Sequence, residues 1–80
     1  MDTLERPQDA VSHYTYRVTW SPEDDEFVAT VAEFASLSWL AASQIGALEG
    51  LQALLADVVS DMQQQGERVP VPFSERTYSG

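Results

Sequence analysis

The chain has 80 residues, with 13 acidic and four basic side chains, a net charge of −9 and no cysteine. That length holds one domain around one core, and so acidic a field repels phosphate backbones, which argues against direct nucleic-acid binding by this chain. The lack of cysteine excludes a disulfide framework, a thiolate metal site and a thiol nucleophile, while 44% hydrophobic against 21% charged residues marks a chain that folds.

Residues 1–12 are polar, contain Pro7 and keep no period, so they read as a flexible leader. They lack the basic region and apolar stretch of a secretory signal, and no later run approaches the roughly 18 apolar residues of a membrane span. A reducing cytoplasm is the expected compartment, with no membrane association.

The domain is expected over residues 13–73. In residues 14–20, YTYRVTW, the residues Tyr14, Tyr16, Val18 and Trp20 alternate with Thr15, Arg17 and Thr19, the pattern of a half-buried strand. Ser21, Pro22, Glu23, Asp24, Asp25 and Glu26 then form a hairpin loop, because proline cannot donate to a ladder and carboxylates prefer water. A second strand returns over residues 27–33, FVATVAE. Residues 34–36 connect it to a third, LSWLAA, over residues 37–42.

From Ser43 the period becomes helical. Leu48, Leu51, Leu55, Val58 and Met62 recur three and four apart, widened by Ile45, Leu54 and Val59. Ser43 is the expected N-cap, and Gly66 the expected stop, since it tolerates a left-handed backbone. Pro70 and Pro72 hold the next segment extended, as a short edge strand at most. Residues 74–80 read as a tail or linker.

These elements predict an α+β fold, a three-stranded antiparallel sheet packed on one long helix in the order β-β-β-α. Strand 2 has Phe27, Ala29 and Val31 on one side and Val28, Ala32 and Phe34 on the other. One helix covers one face only, so the opposite face is expected to be covered by the tail or by self-association as a homodimer or larger assembly.

Catalytic anchors are scarce. His13 is the only histidine, and no serine stands in a nucleophile elbow. No phosphate loop or dinucleotide fingerprint occurs, and the acidic run lacks the spacing, glycine and distal glutamate of a calcium loop. The reading is a protein that is not an enzyme and uses no metal or cofactor. Its acidic hairpin instead suits a basic protein partner.

The strings YTYRVTWSPEDDEFVATVAEF, LSWLAAS and ALEGLQALLADVV, in that order, resemble the HicB family of toxin-antitoxin antitoxins. Gly66-Glu67, then Val69-Pro70-Val71-Pro72 and the ending Arg76-Thr77-Tyr78-Ser79-Gly80, are similar to the linker of longer members. Ala35-Ser36 stands where many relatives carry proline or glycine. Those longer members continue into a ribbon-helix-helix or helix-turn-helix domain that binds operator DNA.

The resemblance implies a partial ribonuclease-H-like fold without nuclease activity. It also implies an antitoxin role, in which the chain neutralises a small basic HicA-type ribonuclease by covering its active site or substrate surface. The candidate contact residues are Glu23, Asp24, Asp25 and Glu26 of the hairpin, with Glu33, Phe34, Leu37 and Trp39. The alternative is a free-standing oligomeric domain of the same fold with a ligand-binding or structural role.

Overall fold

A computed structural model describes residues 11–73. The expected tail, and the leader before Val11, lie outside the described residues. Strands β1 (Tyr16–Ser21), β2 (Glu26–Val31) and β3 (Ser38–Ala41) are followed by one helix, α1 (Gln44–Gln64). The sheet is antiparallel with strand order β1-β2-β3, and α1 packs on one of its faces, nearer to β3 and β2 than to β1. This is the predicted α+β arrangement. Among the described residues no fourth strand forms; residues 67–72 belong to no ladder.

The register follows from the alternation. Val18 pairs with Ala29, Trp20 with Phe27 and Tyr16 with Val31, and Ala29 pairs in turn with Trp39. Paired residues share a face, so these side chains all lie on the helix side of the sheet, where Trp20 stays about half exposed and meets Phe27 edge-on at 4.9 Å. The hairpin turn is closed by the Asp25 amide donating to the Ser21 carbonyl at 2.8 Å, with the Ser21 hydroxyl donating to Asp24 at 2.8 Å. Asp25 takes a left-handed φ of 58°, a conformation that aspartate tolerates better than most residues.

Helix α1 begins and ends where the sequence places its signals. The Gly46 amide donates to the Ser43 hydroxyl at 3.0 Å, satisfying one of the first-turn donors. At the other end Gly66 has φ 76°, its amide donates to the Gln63 carbonyl and the Glu67 amide donates to the Met62 carbonyl. This is the paired closure of a Schellman cap. Ala47, Leu51, Leu55 and Val59 form the buried stripe of α1 against Ala29 and Val31 of the sheet.

Three expectations are corrected by the packing. Val11, assigned to the leader, is 2% exposed and belongs to the core. Tyr14 precedes β1 rather than opening it, and its buried ring meets Phe34 edge-on at 5.2 Å. Phe34 is therefore not on the open sheet face. β2 ends at Val31, and the turn made by the Phe34 amide on the Val31 carbonyl sends that ring back to the core. Without Phe34, the open face carries Arg17, Thr19, Thr30 and Ser38, with Val28 and Leu40 its apolar pair.

Candidate functional site

Six of the eight candidate residues occupy three places, and Phe34 and Leu37 lie against the core. Glu23, Asp24 and Asp25 are exposed and Glu26 half-buried at the tip of the β1–β2 hairpin. Glu33 stands beyond the other end of β2, so a six-residue strand, roughly 20 Å long, separates it from that tip. Trp39 lies midway along β3, on the helix side of the sheet. The structure thus does not gather them into one site.

The hairpin tip concentrates carboxylates in water, where charge remains available to steer a partner. The Ser21–Asp24 hydrogen bond and the Asp25 backbone hold the turn, so the display is ordered rather than a free loop. Arg17 lies further along β1, on the open face.

Glu33 is occupied internally. Its Oε1 accepts from the Thr15 amide at 2.9 Å, while Oε2 accepts from the Thr15 hydroxyl at 3.0 Å and the Phe73 amide at 2.8 Å. Burial pulls its carboxyl upward, but the donors at Phe73 and Thr15 outweigh that pull and leave the pKa below the usual carboxylate value. Glu33 therefore ties Thr15, just before β1, to the segment at Phe73, 40 residues beyond Glu33 itself. The same segment is held by the Tyr14 hydroxyl, which donates to the Pro70 carbonyl at 2.6 Å, and by Val69, which packs on the core.

Phe34 and Leu37 are half-buried against the core, so they present little to a partner. Trp39 is 42% exposed, and the rest of its indole lies over Gly50 of α1, where an added Cβ would overlap the ring. Sequence reading passed over Gly50. The signal was a glycine inside a helix of good helix formers, a position that usually marks a close approach.

A half-open groove of about 410 Å³ is lined by Thr15, Arg17, Thr30, Val31, Ala32 and Ala35. It places one guanidinium among hydroxyls beside the Glu33 end of the sheet, and it too was not anticipated. Among the described residues no group of three His, Asp or Glu side chains is placed to hold a metal ion. No helix among them is long and apolar enough to cross a membrane.

Comparison with protein-family models, with curated proteins and with solved structures found no match to this chain.

Proposed function

We propose that this chain is an antitoxin-type protein-binding module that neutralises a small basic HicA-type, mRNA-cleaving ribonuclease in the cytoplasm by occluding it, without catalysis of its own. The observation that carries the reading is the ordered acidic tip: Glu23, Asp24 and Asp25 exposed on a hydrogen-bonded turn, in a chain of net charge −9. A basic surface would be attracted over distance and then oriented by that tip. Resemblance in the order of strings and elements supports the same partner class.

The test is co-expression with the short basic protein encoded beside this chain, reading co-purification and RNA cleavage together. A stable complex with suppressed cleavage is expected, and the triple reversal Glu23→Lys, Asp24→Lys, Asp25→Lys should weaken it at least tenfold, about 1.4 kcal/mol. An active neighbour that is neither bound nor inhibited would reject the antitoxin reading. The Arg17 groove would then favour the alternative, a free-standing oligomeric domain that binds a small ligand.

A further inference from the structure

Strand β3 is an edge without the usual protections. Among the described residues no strand pairs with its outer side, and its sequence, SWLA, has no charge and no proline. Exposed edges of that kind are templates for another strand, which is why proteins usually blunt them with charge, proline or a bulge. Ser38, Trp39 and Leu40 are all exposed there. The opposite edge, β1, carries Arg17 and runs into the acidic tip.

The charge distribution singles out the same edge. Residues 34–48 contain no Asp, Glu, Lys or Arg, the longest uncharged run in the chain. On α1, Gly50, Leu54, Val58 and Met62 follow one another four apart, and Trp39 lying over Gly50 puts that flank beside β3. Of the exposed helix carboxylates, Glu49 points away from that flank, whereas Asp57 and Asp61, three residues on from Leu54 and Val58, border it, so the uncharged surface is the β3 edge itself.

We propose that β3 pairs antiparallel with β3 of a second copy, joining two three-stranded sheets into one of six strands. Charge selects this occupant. A basic partner gains nothing from a neutral edge, whereas two copies of net charge −9 repel each other least where neither carries charge. A two-fold axis normal to the sheet keeps both helices on one face, so residues paired across the seam differ by an even number. Trp39 then meets Trp39 or Ala41 of the second copy, Leu40 meets Leu40 or Ser38, and the Leu54 and Val58 flanks border the seam. Self-association moves from the open face, where Val28 and Leu40 are the apolar pair, to the sheet edge. The proposal stands independently of the ribonuclease partner.

The experiment is light scattering on the full chain at about 100 µM and after dilution to about 1 µM, with hydrogen exchange read at both concentrations. The expected mass at the higher concentration is twice 8.9 kDa, with exchange of Ser38–Ala41 amides slowed relative to the dilute sample. Leu40→Glu, at a residue 40% exposed, should raise the dissociation constant at least tenfold with an unchanged far-UV spectrum. Should that variant misfold, Ser38→Glu is read in its place. Thr19→Glu, on the open face of β1, should leave the dimer intact. A monomeric wild type, a dimer that survives the charge on β3, or one dispersed by Thr19→Glu would each overturn edge pairing.

Discussion

Glu33 accepts three hydrogen bonds on one carboxylate, and protonation removes the charge that strengthens them. Its pKa is lowered in the folded protein, so the unfolded chain takes up the proton first as pH falls. The contribution is therefore present above the unfolded value, about 4.3, and is lost as pH drops through the folded one. Glu33→Gln should lower stability at pH 7 by about 1 kcal/mol, the low end for a bond to a charged group because the site is partly exposed. Thermal melts should show that difference shrinking towards pH 3; a constant gap would place the effect in packing instead. Tyr16 has the opposite sense. Burial first, then Glu33 and Tyr14, push its phenol up to about 12, while its hydroxyl donates to the Val11 carbonyl at 2.7 Å. Stability should begin to fall above pH 10 and continue falling towards 12, and Tyr16→Phe should flatten that alkaline limb.

At the scale of the element, α1 sets glycine's two uses against each other. Gly66 supplies a positive φ, and Gly50 supplies room for Trp39. Helix propensity alone would make Gly50→Ala stabilising by about 1 kcal/mol, but the new methyl falls where the indole lies, and overpacking typically costs about 1–3 kcal/mol. The expected outcome is net destabilisation in urea titrations, with red-shifted Trp39 emission in a Trp20→Phe background as the ring moves into water. At the two ends of the helix, Ser43→Ala and Gly66→Ala should each cost about 1 kcal/mol through the lost cap and the strained backbone. Equal midpoints for wild type and Ser43→Ala would show that the Gly46 amide finds water as good a partner.

For the molecule as a whole, a net charge of −9 on 80 residues makes self-repulsion a standing cost of the compact state. Salt screens exposed charges beyond about 10 Å at 0.1 M. Raising sodium chloride to about 0.5 M should therefore raise the melting temperature by about 5 °C, corresponding to roughly 1 kcal/mol in a domain of this size. A melting temperature that falls with salt would mean that attractive pairs outweigh the repulsion. Salt should act oppositely on the two proposed assemblies: it weakens docking of a basic partner on the hairpin tip and relaxes repulsion between two copies joined at β3. Titrating both complexes across the same salt range separates the two surfaces.

The alternation of Tyr16, Val18 and Trp20, the acidic proline turn, the helical period and the Ser43 and Gly66 caps were legible as written, because each depends on residues within a few positions of one another. So was the acidic tip, since no packing hides a run of carboxylates on a tight turn. But the buried stripe of α1 runs through Ala47, which the period did not mark, and leaves Ile45, which it did, 69% exposed. Tertiary structure alone decided what long-range contacts decide. Phe34 looked outward by parity, yet β2 ends at Val31 and the following turn cancels the alternation, so the ring enters the core. Glu33 read as a candidate partner contact until Phe73 and Thr15 were brought to it, and Gly50 had no role until Trp39 was laid across it. Local period encodes which elements form, whereas burial and pairing depend on where the chain returns, and a period in sequence carries no record of that return.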